Sequence, residues 1–166
     1  MKKIFLILSI NIFFAQVVTD LSFQTSKSLS MAGAVVSDPG TVESVFINPA
    51  ALSNITHSEI LFGTTKYYSL DFINYSYLSF IHPSSYGNIG ISFQKLGVKS
   101  PDYNNYLSFE SSLSLSQGFS LLKDRNSSLD IGYSFNIFTL KQGESAGVSG
   151  DGSDGLSSQT IYAYGI

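Results

Sequence analysis

The sequence predicts an all-β protein: part of an antiparallel transmembrane β-barrel, about six strands, behind a small N-terminal helical or coil segment that plugs it. Three observations predict this fold. A short export-type leader opens the chain, the later segments alternate apolar with small polar residues, and charge is scarce for so aromatic a composition. Of 166 residues, 43% are apolar and 14% aromatic, but only 13% are charged, against about 25% in ordinary soluble domains. Serine keeps one strand face polar without charge. Thirteen Phe and ten Tyr give the other face a large apolar area.

Residues 1–15 read as a signal peptide. Lys2 and Lys3 form the positive n-region, and the apolar run 4–14 is interrupted only by Ser9 and Asn11. Ala15 followed by Gln16 is the expected cleavage point, although Phe13 stands where a small residue is preferred. A buried N-terminal strand or helix is the alternative reading of this run. As a helix it is too short to cross a bilayer, which takes about 20 residues. No later apolar run is longer, so a membrane-crossing form of this chain is a barrel.

Residues 16–56 are expected to form the plug. Ala32, Gly33 and Ala34 would let a compact segment lie close against surrounding walls. Asp38, Pro39 and Gly40 mark an acidic turn. Asn48 suits a helix N-cap, where its side-chain oxygen accepts an unpaired backbone N–H, and Pro49 suits the first helical position. Ala50, Ala51 and Leu52 continue one helical turn. The candidate plug motif is therefore Gly33, Asp38, Pro39, Asn48, Pro49 and Ala50. A free tail would carry more charge. Inward residues such as Ser112 and Ser134 are expected to receive the plug.

Residues 57–166 carry the strands, expected at 59–67, 70–81, 88–98, 106–122, 128–141 and 157–166. In 107–122 the odd positions include Leu107, Phe109, Leu113, Leu115, Phe119 and Leu121. The even positions between them are Ser, Glu or Gly. Strand side chains alternate between faces, so one face is apolar and the other small and polar. Leu129, Ile131, Tyr133, Phe135 and Ile137 repeat the scheme against Asp130, Gly132, Ser134 and Asn136. Ile89, Ile91 and Phe93 oppose Gly90, Ser92 and Gln94. A soluble β-sandwich would also alternate, with more Lys and Glu on its polar face. Arg is expected to cost more at Leu113, facing lipid, than at Ser114, facing inward. The segment 70–81 is mixed: Ile73, Tyr75 and Tyr77 share one face, Phe72, Leu78 and Phe80 the other. Either a bulge near 76–78 restores the register or both faces are covered.

Connections at 82–88 and 123–126 are short, while those near 97–105 and 142–158 are longer. Short periplasmic turns and longer outer loops follow that rule in outer-membrane barrels. Tyr67, Tyr68, Tyr86, Tyr103 and Tyr106 fall near strand ends, where aromatic rings suit a bilayer interface.

No motif points to an enzyme. Gly150, Gly152 and Gly155 match a dinucleotide pattern but precede strand-like residues rather than a helix. Asp151, Ser153 and Asp154 could offer oxygens to Ca²⁺ but lack the distal bidentate Glu of an EF-hand. His57 and His82 read as loop ends. With a net charge of −3 there is no basic patch for nucleic acid, and zero Cys excludes disulfides and thiolate chemistry. No cofactor and no metal are expected.

An Ala/Gly-rich stretch, an Asp-Pro turn and an apolar lead into Asn48-Pro49-Ala50, all within 31–52, resemble the N-terminal region of the FadL-like outer-membrane barrel superfamily. That superfamily includes transporters of long-chain fatty acids and aromatic hydrocarbons, and PorV/PorQ-type proteins of type IX secretion. The resemblance implies an outer-membrane location with lipid as a neighbour. Its partners would be secreted protein substrates or hydrophobic small molecules. A secreted soluble β module that binds or adheres is the alternative. About six strands fall short of the smallest single-chain barrel, which has about eight. Ile166 ends the chain within a strand pattern, so an N-terminal fragment of a longer protein is expected.

Overall fold

The structure, a computed structural model, describes residues 25–38, 40–100, 106–143 and 159–165. The leader 1–15, Pro39, Tyr103, the Gly150 to Asp154 loop and Ile166 lie outside these residues.

Six strands form one antiparallel sheet in chain order: β1 (Glu59–Lys66), β2 (Ile73–His82), β3 (Asn88–Lys99), β4 (Tyr106–Lys123), β5 (Ser128–Gln142) and β6 (Gln159–Gly165). The sheet is open, with β1 and β6 at its edges. Antiparallel all-β architecture follows from the alternation read above.

β2 pairs with both neighbours without a break, so there is no bulge at 76–78. Both of its faces carry apolar residues: Tyr75, Tyr77 and Ile81 are buried on one, while Leu78 and Phe80 are exposed on the other. Register shifts occur instead at Val98/Lys99 and Ser120/Leu122.

β1 stops before Tyr67, because Tyr67–Ser69 turns into a short 3₁₀ helix. Tyr68 and Ser69 hold φ values of 56° and 59° there, a left-handed conformation that costs non-glycine residues about 1–2 kcal/mol each. Tyr67 is buried against Tyr75, ring centroids 5.8 Å apart, rather than placed at an interface. Tyr68, Tyr86 and Tyr106 are exposed at strand ends, as expected.

The two faces differ sharply. On the open face, two adjacent rungs run Ile60–Phe80–Ile91–Leu115–Phe135 and Phe62–Leu78–Phe93–Leu113–Ile137–Tyr164. A polar rung bounds them, Thr64–Ser76–Lys95–Ser111–Thr139. The covered face is mixed: Ser79, Ser92, Ser112, Ser114 and Ser116 are buried on it, with Ile81 toward one end and Tyr75, Tyr77 and Leu96 toward the other.

The turns 83–87 and 124–127 lie at one end of the sheet, with Asp124 N donating to Ser127 O at 2.8 Å. Residues 67–72, Ser100 and Gly143 lie at the other. Ahead of β1 the chain folds as α1 (Ser26–Ser30), α2 (Ser44–Ile47) and a 3₁₀ helix, Pro49–Asn54. α2 and the 3₁₀ helix pack over the short-turn half of the covered face. Val42, Val45, Leu52 and Ile55 form an apolar cluster with Ile81 of β2. Burying Leu52 and Val45 fully contributes about 1.5–3 kcal/mol each.

Candidate functional site: where the N-terminal segment seats on the sheet

Thr25 begins the segment. Its Oγ1 accepts from Ser28 N at 3.1 Å, capping α1, and donates to Glu43 Oε1 at 3.2 Å. A hydroxyl can do both at once. α1 ends where Gly33 N reaches Ser28 O at 2.8 Å, with Gly33 at φ +83°. The space beside Gly33 is open, so its part is this left-handed turn and not a close approach to a wall. Lys27 Nζ pairs with Asp38 Oδ2, tying the end of this loop to its start. That hydrogen bond holds the Lys27 pKa above its ordinary value, with the charge of Asp38 adding to it.

Asn48 joins two parts of the segment. Its Oδ1 accepts from Ala50 N at 3.2 Å, the expected cap, and its Nδ2 donates to Val36 O at 2.9 Å. Pro49 starts the 3₁₀ helix at the position where its missing N–H costs nothing. Of the predicted motif, Gly33, Asp38, Asn48, Pro49 and Ala50 all lie in this one segment, and Pro39 lies outside the described residues.

The seat is a bare patch of wall. Gly118 of β4 and Gly132 of β5 are directly paired. A Cβ on Gly118 would stand 2.2 Å from Pro49 O, and one on Gly132 would stand 2.2 Å from Ala50 N. Gly90 of β3 likewise lies under Val45, whose Cγ2 would be 2.6 Å from an added Cβ. Around this patch the wall supplies donors to the segment's carbonyls. Ser116 Oγ donates to Val45 O at 2.6 Å, and Asn88 Nδ2 donates to both Leu52 O and Ile55 O at 2.6 Å. Carbonyls near helix ends lack some of their intrahelical partners. Asn88 is a second donor to Leu52 O, which also accepts from Ile55 N at 3.0 Å.

Asn88, Gly90, Ser116, Gly118 and Gly132 form the seat. The available signal was glycine on the polar face of three consecutive strands. It becomes a patch only when the register is known.

At the same end, His57 Nε2 lies 2.9 Å from Glu59 Oε1, and Ser58 Oγ shares a hydrogen bond with His82 Nδ1 at 2.8 Å. The two histidines thus come to neighbouring strand ends. Among the described residues, no three His, Cys, Asp or Glu side chains converge on a possible metal position. No helix among them is long and apolar enough to cross a membrane. No protein-family model, no curated protein and no solved structure matches this chain.

Proposed function

We propose that this sheet is part of the wall of an outer-membrane β-barrel, with the open face toward lipid and residues 25–56 seated in the lumen. The observation that carries this reading is the pair of apolar rungs on the open face. Ile60 and Phe62 are 72% and 71% exposed, and the partners of both on β2 and β3 also face outward. On β5 the outward apolar residues run from Leu129 to Ile137. That is about 27 Å along a strand and about 20 Å in height at a barrel tilt of about 40°, close to the band of known barrels. A soluble protein would expose this surface to water.

Within that reading, a secretion accessory of PorV/PorQ type is the better-supported role. The apolar residues at the short-turn end of the covered face are occupied by the segment's own Val42, Val45, Leu52 and Ile55. A wall that holds its own chain there suits a scaffold for exported proteins more than a greasy conduit. One observation favours the transporter reading instead: Tyr67, Tyr75, Tyr77 and Leu96 form a second apolar cluster on the other half of that face. Hydrophobic small molecules would meet that surface.

The test is fractionation of the full-length protein, produced with its leader in a Gram-negative host. It should stay with the outer membrane through carbonate and urea washes. Recovery in the soluble fraction after such washes would overturn the membrane reading. Cross-linking to exported proteins, set against uptake of a fluorescent fatty acid, then separates the two roles.

A further inference from the structure

Away from the short turns, the open face changes from apolar to basic within two rungs. Phe93, Leu113 and Ile137 belong to the last apolar rung, and the next carries Lys95, Ser111 and Thr139. In the rung after that, Lys66 pairs with Asn74 and Phe109 pairs with Lys141. Lys99 lies farther along β3, its Nζ 5.2 Å from the centroid of the Tyr106 ring. Four of the five lysines on the strands therefore lie at this end, and only Lys123 lies at the other.

Acidic groups do not balance this charge. Asp71 is paired with Lys66, and Glu110 is buried on the covered face. Lys95 and Lys141 are exposed, and among the described residues neither has an acidic partner. These two are separated by two strands and by one step along the same face. With strands about 4.8 Å apart and about 6.8 Å per two residues, their Cα atoms stand about 12 Å apart. An extended lysine reaches about 6 Å, so two ammonium groups can meet one anion between them. Ser111 lies in that interval, half-exposed, with a hydroxyl to offer.

We propose that Lys95 and Lys141, with Ser111 between them, bind the phosphate of an anionic lipid whose acyl chains lie along Phe93, Leu113 and Ile137. Cation and apolar surface are one residue pair apart on each of three strands, the spacing of a headgroup from its chains. The site rests on the membrane reading, in which the end away from the short turns faces outward and the lipid belongs to the outer leaflet. Lys66 contributes less, because Asp71 already holds its charge.

The chain contains no Trp, so Leu113→Trp gives a single fluorescent reporter beside the site. The full-length reporter protein is placed in phosphatidylcholine nanodiscs containing either brominated-chain phosphatidic acid or brominated-chain phosphatidylcholine, and quenching is compared. Phosphatidic acid should be preferred about fivefold, the weight of one lysine near an anionic surface. Adding Lys95→Gln and Lys141→Gln together should bring the preference to about one, while Lys66→Gln or Lys123→Gln should leave most of it. Quenching by both lipids with no preference would overturn the site and leave the membrane reading standing, as would an equal loss in Lys66→Gln or Lys123→Gln. Quenching by neither lipid would overturn both.

Discussion

The carbonyl oxygen of Pro49 rests over the backbone of Gly118, so close that a β-carbon there would stand 2.2 Å away. The atoms in contact are main chain on both sides, so neither can swing aside as a side chain would. Gly118→Ala is expected to cost about 1–3 kcal/mol, the range for overpacking a fitted interior, and Gly132→Ala a similar amount. Both should speed protease cleavage within residues 40–47. Gly33→Ala should cost about 1–2 kcal/mol through its backbone conformation alone, leaving the seat closed. Unchanged cleavage in both sheet variants would count against the seat.

Asn48 has separable donor and acceptor functions. Asn48→Ala loses the cap, about 1 kcal/mol, together with the bond to Val36 O. Asn48→Asp keeps an acceptor for Ala50 N but has no N–H for Val36, so its stability should fall between wild type and alanine. Hydrogen exchange at the Ala50 amide should quicken in the alanine variant and less so in the aspartate. Equal exchange in all three would refute the cap.

Leu115 is 46% exposed, so in water an arginine there would be nearly neutral. Within a bilayer the same change near the midplane costs about 2–4 kcal/mol. Folding of Leu115→Arg into lipid vesicles should therefore be impaired, with wild-type stability retained nowhere in the lipid titration. Wild-type folding efficiency in vesicles would contradict a lipid-facing Leu115.

Burial pushes the Tyr67 hydroxyl up to about 12, with the neighbouring Tyr68 and Tyr77 adding to the shift. The folded state thus holds this proton more tightly than the unfolded chain, whose tyrosines titrate near 10. The stability linked to Tyr67 is intact below about pH 10 and is lost as pH rises toward 12. Ultraviolet titration of tyrosinate should show a late component that Tyr67→Phe removes. A wild-type titration complete before pH 11 would refute the buried placement.

Much of the sheet was legible in the period of Leu113, Leu115, Ile131 and Phe135, because strand side chains alternate whatever lies elsewhere. The cap at Asn48 was legible too, since its partner is two residues away. The seat was not, because Ser116 reaches Val45 across 71 positions and no local pattern records such a contact. Ser114 faces inward as read, and its 0% exposure, which depends on what covers the sheet, was not legible from the strand period. Tyr67 escaped for another reason: the left-handed pair Tyr68 and Ser69 carries no glycine to announce the turn.

The seat also imposes an order in time. Residues 44–54 leave the ribosome before any strand exists, yet the surface they settle on is assembled from β3, β4 and β5. Each strand finds its partner in the next stretch of chain, so the hairpins can close by local contact once folding begins. The early segment has no such neighbour. Its Val45, Leu52 and Ile55 must remain uncommitted until β5 has paired with β4 and brought Gly132 alongside Gly118. Completion of that strand pair is what ends the wait. The first-made part of the described chain is thus among the last to come to rest.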